Sequence, residues 1–327
     1  MKAFDVVALG ELLIDFTESG MSESGNKLLE ANPGGAPCNV LSMLQKLGKR
    51  TAFMGKVGQD AFGDLLEKTL TEAGIATKGL KRDKQVHTTL AFVHTLSGGE
   101  RSFSFYRNPG ADMRLGLEDL DDGLLSSCRV FHFGTLSLTD EPCREATRIA
   151  VSRAKQAGAL ISFDPNLRES LWDSMDHAKK EIAWSLSQCD ILKISDNELA
   201  FMTGTEDYLQ GAGLILKEHP QIRLLNVTAG ENGSLSFYGN LCCQVPVFDV
   251  PAVEKTGAGD TFCACVLNYI LEHGLDHLSL NDLRDMLTFA NAAAALIIQR
   301  KGALKVMPAR EEIQRLLLQQ NALCSFA

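Results

Sequence analysis

The chain is 327 residues long, enough for one large α/β domain or two smaller ones. Hydrophobic residues make up 45% and charged residues 22%, the balance of a globular protein with a sizeable core. A net charge of −9 weighs against nucleic acid or an anionic membrane surface as the main partner, although a few local Arg and Lys residues suffice to hold a nucleotide's phosphates.

The nine cysteines are scattered and form no CxxC pair, so neither a zinc site nor a redox motif is expected. Reduced thiols in the cytoplasm are the expected state. Asp5 and Glu11 interrupt the first apolar segment, which is not the pattern of an export signal. The longest apolar run, Ala292 to Ile298, is too short to span a bilayer.

In chain order, Val6-Val7-Ala8-Leu9 reads as a first buried strand ending at Gly10. The following Gly10 to Phe16 is expected to put Asp15 at the carboxyl end of that strand, the edge where open α/β sheets bind ligands. A carboxylate only accepts hydrogen bonds, which suits vicinal hydroxyls. Next, Pro33-Gly34-Gly35-Ala36-Pro37-Cys38-Asn39 leads into a helical pattern that runs to Gly48. Small residues here admit a ligand close to the backbone, and Asn39 offers a donor and an acceptor to a polyol; a plain turn into a helix is the competing reading.

Thr88 to Leu96 and Arg101 to Arg107 are β-rich and joined by Ser97-Gly98-Gly99-Glu100, a hairpin signal. Phe92, Phe103 and Phe105 alternate with polar residues, so this hairpin is expected to be an appendage such as a lid or a dimer contact. The carboxylate run Glu118 to Asp122 reads as a solvated helix end. Strand-like runs follow at Val130–Phe133, Leu160–Phe163, Ile191–Ile194 and Leu224–Val227, with helical patterns at Glu145–Ala157 and Ala178–Leu186. His132, inside one of these strands, reads as a core histidine. Strands alternating with helices imply a mostly parallel sheet covered on both faces.

The most informative stretch is Thr256-Gly257-Ala258-Gly259-Asp260, followed by the apolar run Phe262 to Leu267. The glycines free the backbone to approach an anion, and a helix is predicted to begin near Asp260. Helix N-termini bind phosphate, and a carboxylate beside that phosphate can take a proton from an incoming hydroxyl. Alternatively Asp260 only caps the helix. No GxxxxGK[ST] occurs, which excludes a P-loop, and no GxGxxG follows a strand, which disfavours a nicotinamide oxidoreductase.

Pro33 to Asn39, Gly48, Gly58 and Thr256 to Asp260 together resemble the two signatures of the ribokinase-like (PfkB-type) carbohydrate kinases. The resemblance runs over nearly the whole chain, through Gly10–Phe16, Phe105–Met113, Phe131–Gly134, Asp164–Arg168, Lys193–Glu198, Val227–Gly230 and Arg300–Ala303. Tyr106 to Met113 and Asp164 to Arg168 are most similar to the fructokinases of that family.

The resemblance implies a ribokinase-like three-layer α/β sandwich in one catalytic domain. Its central sheet would be mostly parallel, with a small β-sheet lid built from about residues 11–33 and 87–112. It implies ATP-dependent phosphorylation of D-fructose to D-fructose 6-phosphate. Asp260 would be the general base, Gly257, Ala258 and Gly259 the anion hole, and Arg168 a charge stabiliser. Asp15, Gly34, Gly35, Asn39 and Arg107 match sugar-binding positions. Asn166 and Lys193 match positions facing the phosphates, Thr228 and Gly230 nucleotide-binding positions, and Asn291 a helix flanking adenine. Glu198, in the segment matching the family's NxxE motif, would organise Mg2+ through water. The field around Asp260 is expected to lower its pKa.

Five positions depart from the family pattern. Leu41 replaces a small residue, Ser195 the Asn of NxxE, Glu254 and Lys255 an Asp and a Thr, and Val306 a Ser. The changes at Glu254, Lys255 and Val306 make a monovalent cation doubtful. A homodimer paired through the lid is expected. Other sugars (2-keto-3-deoxygluconate, ribose, another ketohexose) are the alternative substrates, and an inactive kinase-like binding protein is the alternative class, disfavoured by the intact Gly257, Gly259 and Asp260.

Overall fold

The computed structural model describes residues 2–95 and 101–324. The chain opens with β1 (Phe4–Leu9), β2 (Leu13–Met21), β3 (Lys27–Gly34) and α1 (Ala36–Lys46). There follow β4 (Thr51–Gly58), α2 (Ala61–Glu72), β5 (Ala76–Asp83), β6 (Leu90–Thr95), β7 (Arg101–Tyr106) and α3 (Asp122–Ser126). The middle alternates through β8 (Cys128–Gly134), α4 (Cys143–Gln156), β9 (Leu160–Asp164), α5 (Met175–Leu186), β10 (Ile191–Ser195), α6 (Asp196–Thr203), α7 (Tyr208–Glu218) and β11 (Leu224–Thr228). The last third holds β12 (Ser234–Tyr238), β13 (Leu241–Val245), α8 (Ala258–His273), α9 (Leu280–Ile297) and α10 (Arg310–Cys324).

Nine strands form one sheet in the order β13-β12-β11-β10-β9-β8-β1-β4-β5. From β11 to β5 all neighbours pair in parallel; β12 and β13 add an antiparallel edge. Side chains alternate across a strand, and here both faces are apolar. Val6 and Ala8 of β1 pack into one core with α1, α2, α8, α9 and α10. Val7 and Leu9 pack into a second core with α3, α4, α5, α6 and α7. The result is the expected three-layer sandwich. Leu41 is fully buried in the first core, and the family's small residue is replaced there without exposing apolar surface.

A separate four-stranded sheet, β3-β2-β6-β7, supplies the expected small β element, from residues 13–34 and 90–106. Its β6–β7 pair is antiparallel, as the hairpin signal predicted; the connecting Ser97 to Glu100 lies outside the described residues. One expectation is corrected here. Asp15 does not end the first strand: β1 stops at Leu9, and Asp15 lies in β2, paired with Asn32 and Ala91. Phe92 and Phe105 do not share a face, because Phe105 pairs with Ala91 while Phe92 pairs with Ser104. Phe92 stacks on Phe16 and meets Tyr106, each with ring centroids 5.0 Å apart. The Phe103 side chain lies outside the description.

Glu118 to Asp122 is not simply solvated. Asp121 caps α3 by accepting from the Leu124 amide at 3.0 Å, and Asp119 holds Lys56 at 2.8 Å. His132 is a core residue as read, with Nδ1 3.0 Å from Ser162 Oγ, and burial pushes its pKa down to about 3. Among the described residues no helix is long and apolar enough to cross a membrane.

Candidate active site

The strand order turns back at β1, because β4 and β5 lie on one side of it and β8 to β13 on the other. Crevices at such switch points, outside the carboxyl ends of parallel strands, are where α/β sheets take ligands. A cavity of about 280 Å³ lies there. Its wall carries Glu11 from the segment after β1, Leu136 after β8, Asn166 and Arg168 after β9, and Lys193 from β10. The four-stranded sheet adds Leu13, Asp15 and Phe105; Gly35, Ala36 and Asn39 open α1; and Lys255 to Gly257, Gly259 and Asp260 open α8.

Two helix starts converge on this cavity. Gly257, with φ 80°, caps α8 in a left-handed conformation, and a Cβ on it would come 2.8 Å from Ala303 Cβ. A Cβ on Gly259 would come 2.9 Å from Lys193 Nζ. The first intrahelical bond runs from Thr261 N to the Gly257 carbonyl, at 2.8 Å. The amides of Gly259 and Asp260 therefore precede the helical ladder, in the position of anion donors.

The second start belongs to α1. Its cap, Gly35, has φ 125°, and a Cβ there would run into the Glu11 backbone carbonyl. Gly34 has no room for a side chain either, since the Asp15 carboxylate fills that place. One turn into α1, Asn39 Nδ2 donates to Asp260 Oδ2 at 2.8 Å. Asn39 Oδ1 is buried without a partner, so an acceptor is left for a ligand hydroxyl.

Asp260 is 8% exposed, and burial raises its pKa against the hydrogen bond from Asn39 and the charges of Lys193 and Arg168. This corrects the expected lowering: desolvation outweighs the local positive field. Asp15 is driven in the same direction, to about 7, by burial and by its acidic neighbours Glu254 and Asp260, with Arg168 opposing. Lys193 Nζ lies 3.1 Å from Asp164 Oδ2. Burial works against its charge, but Asp164, Glu198 and Asp260 together hold it above the usual lysine range.

Several expected site residues lie elsewhere. The Arg107 guanidinium does not line the cavity. It donates to Asp112 at 2.7 Å, Thr139 Oγ1 at 2.9 Å and the Leu136 carbonyl at 2.8 Å, and the residue is 6% exposed. The buried Asp112, five residues on, captures it. Asn291 is likewise committed: its Nδ2 donates to the carbonyls of Val245 and Pro246, and its Oδ1 accepts from Ser234, which ties α9 to the β12–β13 edge. Thr228 ends β11 opposite Ser234, and Gly230 follows with φ 50°; neither lines the cavity.

Glu198 is also set back from the cavity. Its Oε1 accepts from the Leu167 amide at 2.7 Å and its Oε2 from the Ser195 amide at 2.8 Å, which closes a capping box with Ser195. The carboxylate thereby braces the turn that carries Asn166, φ 44°, and Arg168 into the cavity. Among the described residues no group of three or more His, Cys, Asp or Glu could hold a metal ion. A divalent ion here fits one carried by the phosphates and water, the habit of Mg2+.

Glu11, Leu13, Ala36, Phe105, Leu136 and Thr256 line the cavity without being among the expected site residues, and Lys255, noted only as a departure bearing on a monovalent cation, lines it too. Glu11 and Leu13 carried the signal of lying between Gly10 and Asp15, and Lys255 that of preceding the Gly257 turn. Phe105 carried the signal of opening the family-matching stretch to Met113, and Leu136 carried no local signal.

A model of the pfkB family of carbohydrate kinases matches residues 3–310. The chain is 45% identical over 305 residues to probable fructokinase-2 of Arabidopsis thaliana, with 93% of this chain and 92% of that protein aligned. The crystal structure of a fructokinase with bound ATP from Xylella fastidiosa overlays with a TM-score of 0.88 at 31% identity, covering 97% of this chain and 99% of that one. A fructokinase double mutant from Vibrio cholerae O395, solved with fructose, ADP and potassium ion, overlays with a TM-score of 0.86 at 30% identity, covering 97% and 99%. With a matching model across almost its whole length, and a buried carboxylate at a glycine-capped helix start, the chain belongs to the pfkB family of carbohydrate kinases.

Proposed function

We propose that this kinase transfers the terminal phosphoryl group of ATP to the primary hydroxyl of D-fructose, giving D-fructose 6-phosphate. The observation that carries the reading is the buried Asp260–Asn39 pair, which shares one cavity with Asp15 and the α8 amides. The similarity to fructokinases, including structures solved with ATP or with fructose and ADP, supports the choice of substrates.

In this reading Asp15 and Asn39 accept hydrogen bonds from sugar hydroxyls, while Gly34 and Gly35 let the sugar approach the backbone. Asp260 takes the proton of the reacting hydroxyl, and its raised pKa makes it a better base than an exposed aspartate. The amides from Gly257 to Asp260, with Arg168, Lys193 and Asn166, hold the polyphosphate and neutralise charge developing at the transferred group. Mg2+ bound to the nucleotide supplies further neutralisation. Glu198 contributes by fixing the Asn166–Arg168 turn. Thr228 and Gly230 belong to the nucleotide side, and Asn291 holds the frame of that side.

The catalytic unit is the whole chain, with the four-stranded sheet as a lid over the sugar. Met21 (62% exposed), Leu28 (46%), Leu29 (42%) and Tyr106 (67%) leave apolar area on that sheet, which supports a homodimer paired through it. The eight cysteines from Cys38 to Cys265 are free thiols, which supports a reducing compartment such as the cytoplasm. Glu254 and Val306 support independence from potassium.

The test is ADP release by purified protein over fructose, ribose, glucose, tagatose and 2-keto-3-deoxygluconate, with the phosphorylated carbon of the product read by NMR. Fructose should lead. A preference for ribose would sink the fructose reading.

A further inference from the structure

Glu11 has no assigned part in the chemistry above, yet the residue lines the cavity while only 4% exposed. Burying a carboxyl group is costly unless it is well bonded. Part of its bonding is plain. Oε1 accepts from the Ala36 amide at 2.8 Å, in the first turn of α1. The cap of that helix is a glycine with no side chain to offer, and Glu11 satisfies from outside one of the free amides of the first turn. Its own backbone N–H gives it a second donor. A carboxylate has about four acceptor sites, so two amides do not exhaust it.

Arg107 and Asp112 bear on the Glu11 charge but are already paired with each other at 2.7 Å. Leu13, Asp15, Gly35 and Asn39 line the same cavity as Glu11. We propose that Glu11 is a second carboxyl group that reads the sugar: while capping α1 it holds one hydroxyl of the substrate and so helps to set which sugar is accepted. The proposal rests on the sugar-kinase reading of this cavity. Burial and Asp112 push the Glu11 pKa to about 7, with the two amides and Arg107 opposing. Near neutral pH both of its forms are populated, so the group can accept a hydrogen bond from a hydroxyl or donate one to it.

Two acidic groups in one small cavity suit a polyol better than one. A site built to bond a hydroxyl rejects the analogue lacking it far more strongly than an apolar wall can. The experiment measures KM and kcat for wild type and E11Q with fructose, with each monodeoxyfructose, and with ATP varied. Gln keeps an oxygen for the Ala36 amide, so folding and ATP binding should hold. The expected result is a rise of about 10-fold or more in KM for fructose with KM for ATP unchanged. One deoxy sugar should also be penalised by wild type yet show no further loss in E11Q. An unchanged fructose KM in E11Q, or no deoxy sugar coupled to position 11, would leave Glu11 a helix cap and overturn the proposal. If E11Q does not fold, E11D, which keeps the charge but withdraws it by one methylene, carries the same readout. If wild type phosphorylates another sugar instead, the fructose reading fails, and the comparison is repeated on that sugar, so the two failures are told apart.

Discussion

Asn39 and Asp260 lie 221 residues apart and are joined by a 2.8 Å hydrogen bond between the first turns of two helices. The bond has a direction and a consequence. An amide N–H donated to a carboxylate favours its ionised form, and here it works against the burial that raises the Asp260 pKa. Asn39→Ala should therefore raise that pKa further. The acid limb of kcat against pH should move to higher pH, with ATP binding unaltered. An acid limb at the wild-type position would show that Asn39 does not tune the base.

Asp260→Asn removes the proton acceptor while keeping the shape of the site. Loss of a general base costs on the order of 10²- to 10⁴-fold in rate. Single-turnover kinetics should show that loss, with fructose and ATP still binding in calorimetry. Turnover near the wild-type level would remove Asp260 from the role of base.

How much of this was legible in the sequence follows the distance over which each feature is determined. The α8 start was readable because Gly257, Gly259 and the apolar run behind Asp260 are contiguous. The sheet was readable because β1, β8, β9, β10 and β11 are buried on both faces and so read as unbroken apolar runs. The bonding of Arg107 was not legible because its partners are set by tertiary structure: Asp112 is near in sequence, but Thr139 and Leu136 arrive from beyond β8. The bonding of Asn291 was hidden for the same reason, since the carbonyls that bind its side chain belong to residues 245 and 246. Asp15 was placed on the wrong strand because nothing in Gly10 to Phe16 announces that the chain leaves the large sheet for the small one. The Asp260 pKa was given the wrong sign because local charges can be read from neighbours, whereas burial cannot.

The position of Arg107 changes what its loss should do. Truncating one partner of a buried ion pair leaves the other charge unpaired, at roughly 3–5 kcal/mol, and both side chains of the Arg107–Asp112 pair are nearly inaccessible. Arg107→Ala should lower the midpoint of denaturant unfolding, and adding Asp112→Ala should restore part of the loss. A variant with wild-type stability and abolished fructose turnover would return Arg107 to direct sugar contact.

Asp15 carries a stability cost that its function explains. Its pKa is raised from 3.8 to about 7, so the folded protein resists its ionisation. The sign follows: the folded state is favoured at low pH, and that advantage is lost as pH rises from about 4 through 7. Asn cannot ionise. The melting temperature of Asp15→Asn relative to wild type should thus be higher at pH 8.5 than at pH 5, while fructose binding is lost at both. A difference in melting temperature that is the same at both pH values would contradict the burial-driven shift.

The last prediction concerns potassium, which is bound in the Vibrio cholerae fructokinase structure. Hard cations need oxygen ligands. In this chain Glu254 is 7% exposed and its Oε2 accepts from the Gly302 amide at 3.0 Å. Val306 offers no side-chain oxygen, and its carbonyl accepts from Arg300 at 2.7 Å. Lys255, next to Glu254 in sequence, lines the cavity at the α8 start, and Lys305 is exposed beside Val306. A lysine ammonium is a compact positive charge that can stand where a monovalent ion would. Activity should therefore change little when potassium replaces a bulky organic cation, and Lys255→Thr should lower kcat in a way that potassium partly restores. Several-fold activation of the wild type by potassium would show that Glu254 and the neighbouring carbonyls still form a cation site.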